Sequence, residues 1–300
     1  MRAPPLAAPE AAARALRANR RGIRYMVVAM ACFIANDTLV KLAGETMPAA
    51  QLIFVRGLMA TAWVLIVARA TGVALPFARL ARGWVAGRAT IDALATFAYL
   101  ASLFHLPLAN AAAINMAAPL FIAVLAGPML GERIGAARRA AIVLGFAAVL
   151  MVIQPRAEGF NAWSLLCLGA TLLHALRDLV VRRIPRDLPA IGITLATAVA
   201  VTLIAGVATA VQGWRPIDAR GLALISTASV FLVGGYYWVI RSTREGEVSV
   251  VAPFRYSGLL LALAIGWVVW GELPNALGWA GIALLVATGL HLVRSEGRGR

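Results

Sequence analysis

Seven ionisable side chains occur inside long apolar stretches of this sequence, where a charge is costly unless it is paired or hydrated. Carboxylates at such positions can exchange protons, and guanidinium and ammonium groups can bind anionic parts of a solute. Each side chain is therefore a candidate for solute binding or ion coupling, with structural pairing between helices as the alternative. The seven are Asp37, Lys41, Arg56, Asp92, Arg177, Asp178 and Arg255.

Asp37 and Lys41 are four residues apart, so in a helix they share one face and can form an ion pair. They either line a polar cavity near its outer mouth or simply order their helix against its neighbours. Asp37 is the first candidate for proton coupling, because an outward-side carboxylate can exchange protons with the periplasm and pair alternately with Lys41 or Arg56. Asp178 is the second candidate, and Arg182 follows it at the same spacing, near a helix end where arginine can reach water.

Arg56 and Arg255 each lie seven residues into a predicted span, and neither has an acidic residue three or four positions away. A buried guanidinium there needs a partner on another helix or an anionic group of a substrate. Asp37 and Asp178 are the available carboxylates. We expect a cavity or gating role for both arginines, with structural pairing as the alternative. The same two alternatives apply to Arg177.

Aromatic residues accompany some of these charges. The segment 253–256, Pro-Phe-Arg-Tyr, combines a helix distortion with two rings and a cation, which makes Tyr256 a candidate beside Arg255. The run 236–238, Tyr-Tyr-Trp, includes Tyr237 and offers a stacking surface for a planar heterocycle. Aromatic residues near span ends more often anchor the membrane interface, which is the competing interpretation.

The remaining polar candidates are uncharged or lie near span edges. Asn36 and Asn115 can donate hydrogen bonds to a substrate or to a neighbouring helix. His174 lies one turn before the second carboxylate candidate and could titrate there. Asp92 has Arg88 four positions before it, and we interpret this pair as interfacial and mostly structural.

The composition indicates what elements hold these residues. Apolar residues make up 61% of the chain, charged residues 14%, and the mean hydropathy is +0.82, whereas soluble domains average about 45–50% apolar and about 25% charged. Such a chain needs lipid. The net charge of +15 comes from basic residues between apolar runs, which favours an asymmetric membrane topology over nucleic-acid binding.

Ten segments have about the length and apolarity of a membrane-spanning helix. Twenty-one lysines and arginines fall on one predicted side and three on the other, which predicts that both termini are cytoplasmic. The predicted spans are 24–43, 49–69, 89–105, 107–129, 136–154, 161–181, 189–211, 219–240, 248–270 and 275–293, and the two short flanking tails are 1–23 and 294–300.

The two halves of the chain, 24–154 and 155–293, repeat each other weakly. Gly131-Glu132 and Gly271-Glu272 end the fourth and ninth spans at an offset of 140, and the run 36–41 aligns with 177–182 at an offset of 141. Pro48 and Pro189 keep the second offset. Because each half holds five spans, the second must enter the membrane inverted, and inverted repeats suit alternating access to a site at the membrane midplane.

The run ANAAAINMAAPLFIAVLAGPMLGERIG and its counterpart VSVVAPFRYSGLLLALAIGWVVWGE resemble the EamA-type unit of the drug/metabolite transporter superfamily. The resemblance implies an all-α bundle of ten transmembrane helices around a central cavity, with proton-linked or exchange-driven transport. The motifs ANDTLVK, LRD and APFRY are similar to those of S-adenosylmethionine uptake carriers. They imply an aromatic or heterocyclic metabolite as substrate, or a vitamin, with export of amino acids as the alternative.

Other function classes fit the sequence less well. The single lysine is followed by Leu42, so no Walker A loop is present, and no metal-binding spacing or cofactor fingerprint occurs. We therefore expect no cofactor, no metal and no enzymatic activity, and a gradient of protons or of a counter-substrate as the energy source. An intramembrane lipid enzyme would need a nucleophile beside Arg88 and Asp92, and a scaffold would not need charges at mid-span. We expect a bacterial inner-membrane protein, either a monomer or a homodimer.

Overall fold

In the computed structural model, the residues described are 8–130, 136–154, 161–185, 187–246 and 248–298, and within them the regular structure is helical, with no strand. Of two short 3₁₀ helices, Val181–Arg183 continues the α-helix before it, and Ala252–Tyr256 joins two α-helices end to end. The α-helices are α1 (Ala8–Ala43), α2 (Ala49–Ala70), α3 (Phe77–Leu80), α4 (Gly83–Leu103), α5 (Leu108–Asn115), α6 (Ala118–Leu130), α7 (Ala136–Ile153), α8 (Ala162–Val180), α9 (Ala190–Gln212), α10 (Ala219–Glu245), α11 (Val248–Val251), α12 (Ser257–Trp270) and α13 (Ala276–Arg298).

Seven segments of the described chain are long and apolar enough to cross a membrane. Two shorter apolar helices, 139–153 and 276–291, correspond to the predicted fifth and tenth spans. The predicted third span is α4, which has sufficient length but a lower hydropathy because it contains Arg88 and Asp92. The seven are Leu16–Ala43, Ala49–Ala70, Leu108–Leu125, Ala162–Val180, Ala190–Gln212, Ala219–Ser242 and Pro253–Trp270.

Several helix ends differ from the span boundaries predicted from the sequence, and prolines account for two of them. Helix α1 begins at Ala8 rather than at residue 24, because the alanine- and arginine-rich segment before the first apolar run favours helix. The predicted fourth span is divided into α5 and α6, with Pro119 in the first turn of α6. The predicted distortion at Pro253 is confirmed: α11 stops after one turn and a 3₁₀ helix leads into α12.

One end of the bundle, here called the Lys41 end, gathers the connections after α1, α4, α7, α9 and α12. Gln51 at the start of α2 exchanges two hydrogen bonds, of 2.6 and 3.0 Å, with the backbone of Arg215. Gln154 and Asn275 likewise exchange two side-chain hydrogen bonds, of 2.6 and 2.8 Å. These contacts join connections that are far apart in sequence, so that this end is held together by polar groups.

Helix packing relates the two halves of the chain. Helix α1 packs on α10, as α8 packs on α4, and α2 packs on α10, as α9 packs on α4. Helices α2 and α9 contact each other, as do α7 and α13. Pro48 and Pro189 precede α2 and α9 with nearly the same backbone geometry, at φ −57°, ψ 138° and φ −67°, ψ 135°. The predicted prolines of the repeat therefore occupy matching places, whereas Gly131-Glu132 lies outside the described residues.

Candidate functional site

The first polar cluster, here called the Asp37 cluster, consists of Asn36, Asp37, Arg56 and Tyr99 from α1, α2 and α4. The Asp37 carboxylate accepts hydrogen bonds from the Tyr99 hydroxyl at 2.8 Å and from the Asn36 amide at 2.9 Å. Arg56 donates to the Asn36 carbonyl oxygen at 3.3 Å. Asn36 and Arg56 are 2% and 6% exposed. These groups face the interior of the bundle rather than the lipid.

The predicted ion pair between Asp37 and Lys41 is wrong. The Asp37 oxygens are occupied by Tyr99 and Asn36, and Lys41 instead pairs with Glu272 at 3.1 Å. The helical spacing placed the two residues on one side of α1, but it could not reveal the competing partners on other helices.

Lys41 is the centre of a second cluster, the Lys41 cluster, at the end of the bundle named after it. Its ammonium donates to the carbonyl oxygen of Leu106 at 2.8 Å and lies 4.5 Å from the centre of the Trp270 ring. The Glu272 carboxylate also accepts from the backbone amide of Leu108 at 3.2 Å. The cluster therefore ties α1 to the connections after α4 and after α12.

A third cluster, the Asp92 cluster, joins α4, α8 and α9. Asp92 is 4% exposed and pairs with Arg177 at 2.7 Å and with Arg88 at 3.5 Å. Arg177 also pairs with Asp178 at 2.9 Å, and Arg88 donates to Thr197 at 2.8 Å. The predicted pair of Asp92 with Arg88 is present, and Arg177 contacts the same carboxylate from the other side.

Tyr236 is the aromatic residue of its run that faces these clusters. It is 45% exposed, yet it lies within electrostatic reach of Arg56, Arg88, Asp92 and Arg177. Tyr236 therefore places an aromatic ring beside the buried charges of α2, α4 and α8. Its ring packs edge-on against Phe33 of α1, with 5.3 Å between the ring centres.

Tyr237, the residue named from the sequence, points elsewhere. Successive helical side chains are about 100° apart, so Tyr237 is exposed at the surface and its hydroxyl accepts a hydrogen bond from Arg241 at 3.0 Å. Asn115 contacts the His174 ring nitrogen at 3.1 Å, and the His174 ring lies 6.1 Å from that of Tyr99. The structure therefore places Asn115 and His174 beside the Asp37 cluster, but not Tyr237.

Arg255 does not have the buried position that its sequence context predicted. It lies in the 3₁₀ helix Ala252–Tyr256, and it is exposed, whereas the next residue, Tyr256, is buried against Gly289. The side chain of Arg182, which was paired with Asp178 by spacing, lies outside the described residues.

Two residues of these clusters were not recognised as site residues in the sequence. In the sequence, Glu272 stands out only as part of a repeated Gly-Glu pair, and Tyr99 belongs to none of the motifs. The signal for Glu272 was available, because the predicted topology places it on the same side as Lys41. A single tyrosine in the middle of an apolar span was the corresponding signal for Tyr99.

The same division into halves appears in the comparison with protein families. A model of the EamA-like transporter family matches residues 20–154 and again residues 161–293. The chain belongs to the EamA-like transporter family. It is a multi-pass inner-membrane protein.

Relatives of this EamA-like transporter include proteins named for different cargoes. It is 27% identical to a pseudopaline exporter of Pseudomonas aeruginosa over 92% of this chain and 97% of the relative. It is 23% identical to an S-adenosylmethionine uptake transporter of Rickettsia conorii, over 94% and 95% of the two chains. It is 29% identical to a riboflavin transporter of Rhizobium johnstonii over 70% of each. The names agree on transport of small molecules and differ in substrate and direction.

A solved crystal structure matches the EamA-like chain with a TM-score of 0.62 at 19% identity, over 92% of this chain and 97% of the other. The two chains therefore share a fold along nearly their whole lengths.

Proposed function

We propose that this protein is a secondary transporter that moves a small polar organic metabolite across the inner membrane by alternating access. The observation that carries the proposal is the placement of charged groups inside the bundle: Arg56 and Asp92 are buried, Asp37 is half-buried, and Tyr236 lies close to these charges. Buried charges in a membrane protein are expensive and typically mark a solute or ion pathway. A scaffold would have no use for them.

The proposal includes ten spans in two inverted five-helix repeats. If each helix is replaced by its counterpart in the other half, the α1–α10 contact becomes the α8–α4 contact. The α2–α10 contact likewise becomes the α9–α4 contact. The same replacement leaves the α2–α9 and α7–α13 contacts unchanged. A pseudo-two-fold axis predicts this pattern, and such an axis lets two similar bundles exchange conformations around one site. The two separate matches to the family model also support the repeat.

In this proposal the conformation is closed at the Lys41 end, which we place at the outer face with both termini in the cytoplasm. The excess of arginine in the connections at the opposite end supports this orientation. Opening to the outside then requires separation of Lys41 from Glu272 and from the Leu106 carbonyl. The substrate could be an aromatic or heterocyclic metabolite, with amino-acid export as the second candidate, and protons or a counter-substrate provide the driving force.

Transport by proteoliposomes tests the proposal. Purified protein should take up at least one compound from a labelled panel of S-adenosylmethionine, riboflavin and the common amino acids, with saturable kinetics. Arg56→Met should abolish uptake while the protein still inserts and purifies as a folded species. Arg69→Met is the matched control, because Arg69 lies on the same helix but is exposed. Absence of flux for every compound, with folded protein in the vesicles, would overturn the proposal.

A further inference from the structure

The Asp37 cluster holds two opposite charges that do not neutralise each other directly. Arg56 and Asp37 lie on adjacent helices within electrostatic reach, yet they form no salt bridge among the ion pairs of the described residues. The amide of Asn36 stands between them: its oxygen accepts from Arg56 and its nitrogen donates to Asp37. From Arg56 to Asp37, the order of groups is therefore the guanidinium, the accepting oxygen of Asn36, the donating nitrogen of Asn36 and the carboxylate.

An α-amino-acid head group presents the same order. Its carboxylate accepts and its ammonium donates, and both are attached to one carbon, so that they are separated by only slightly more than the oxygen and nitrogen of an amide. A guanidinium has five donors and a carboxylate accepts at about four positions, so Arg56 retains donors beyond Asn36, and Asp37 retains acceptor positions beyond Asn36 and Tyr99. A zwitterion could therefore bind across Arg56 and Asp37 by displacing or flanking the Asn36 amide.

Other classes of solute fit this pair of charges less well. An anion that bound Arg56 would be placed beside Asp37, and a cation that bound Asp37 would be placed beside Arg56. A neutral heterocycle would leave both charges without a charged partner in a water-poor site, which is costly. Only a solute with both charges close together satisfies both residues at once.

We propose that Arg56 and Asp37, spanned by Asn36, form a subsite for the zwitterionic head group of an α-amino acid or its derivative. The inference rests on the proposed transport function and narrows its substrate class. Tyr236 interacts electrostatically with Arg56, so in this proposal the remainder of the solute extends along its ring. Of the cargoes named for relatives, S-adenosylmethionine has such a head group and riboflavin does not.

Binding to the purified protein, measured by calorimetry, tests the subsite. The probes are the common amino acids and S-adenosylmethionine, with decarboxylated S-adenosylmethionine and riboflavin as compounds without the zwitterion. At least one head-group compound should bind. Removal of its carboxylate should weaken binding about 10- to 100-fold, the usual range for a hydrogen bond to a charged group. Binding of riboflavin alone would overturn the inference.

Two variants distinguish a head-group contact from a general effect on folding. Arg56→Met should weaken binding of the zwitterion but leave binding of the amine lacking the carboxylate nearly unchanged. Asp37→Asn should weaken the zwitterion but not the corresponding acid lacking the ammonium. Arg69→Met, at an exposed residue, should change the binding of neither the zwitterion nor its analogues. Equal losses for the zwitterion and its analogues would contradict the subsite. Riboflavin flux without head-group binding would leave transport standing and reject only this inference, whereas absence of both flux and binding would reject both.

Discussion

At the level of single residues, the bundle contains buried charges whose partners come from other helices. Lys41 pairs with Glu272, which lies 231 positions away, rather than with Asp37 on its own helix. Each charged group in such a network depends on the others, because a buried charge that loses its partner keeps its desolvation cost. The contributions of Lys41 and Glu272 should therefore not be additive.

A double-mutant cycle tests that coupling. Lys41→Met and Glu272→Gln should each lower the thermal unfolding temperature of the purified protein. The double variant should be no less stable than the worse single variant, with a coupling of about 1–3 kcal/mol as for contacting residues. Equal, fully additive losses would show that the pair does not hold the Lys41 end together.

The surface pair of Arg79 with Asp187 provides a matched control for this cycle. Its side chains are 54% and 60% exposed, so its removal should change stability little. The hydrogen bond from Arg79 lowers the pKa of Asp187. Since the folded pKa lies below the unfolded one, the pair is intact at neutral pH, and its small contribution is lost only as the pH falls through the folded pKa.

Asp37 is also the first candidate for proton coupling, and Asp178 the second. The side chain of Asp178 is 43% exposed, whereas Asp37 is held by Tyr99 and Asn36. Asp37→Asn should abolish the dependence of uptake on a pH gradient, because the amide cannot exchange a proton. Any counterflow exchange that this variant retains should be independent of pH. The measurement is uptake into proteoliposomes with and without an imposed gradient. Full gradient dependence in this variant would transfer the role to Asp178.

At the level of helices, close packing depends on glycines at the two contacts that join equivalent helices of the halves. A Cβ at Gly57 of α2 would overlap the Thr202 hydroxyl of α9. A Cβ at Gly281 of α13 would lie 2.8 Å from the carbonyl oxygen of Ala148 in α7. Small residues allow membrane helices to approach closely, and packing is the main source of their association.

Gly281→Ala should therefore destabilise the protein by about 1–3 kcal/mol, because the methyl group meets backbone that cannot move aside without separating α7 from α13. Gly169→Ala is the matched control, since a Cβ at this exposed position of α8 has no heavy atom within 4 Å. Its better helix propensity should stabilise the protein by up to about 1 kcal/mol. Thermal unfolding in detergent measures the stability of both variants. Equal changes in stability would contradict the packing argument.

At the level of the whole molecule, the contact pattern of the halves and the excess of arginine at one end predict one topology. In a variant with Cys32 and Cys167 replaced by alanine, a cysteine at Gln212 should react with a membrane-impermeant maleimide in intact cells. A cysteine at Ala81 should react only after permeabilisation, because it belongs to the opposite end of the bundle. Reversed accessibility would invert the orientation and place the Lys41 closure at the cytoplasmic face.

The sequence by itself determined what depends on composition and local order: a helical membrane protein, its approximate spans, the breaks at prolines and the membership of a transporter family. The first three follow from apolar length and from backbone restrictions that act within a few residues, whereas the family follows from the resemblance of two sequence runs to its repeat unit. The sequence also identified Asp37, Arg56, Asp92 and Arg177 as intramembrane charges.

Only the tertiary structure decided which of those charges meet. Glu272 and Tyr99 became partners of Lys41 and Asp37 because helices distant in sequence pack side by side. Arg255, in the 3₁₀ helix before α12, is exposed rather than buried. Helical spacing specifies which residues share a face, but the free energy of a buried charge depends on the neighbouring helix, and that neighbour is fixed only when the bundle is assembled.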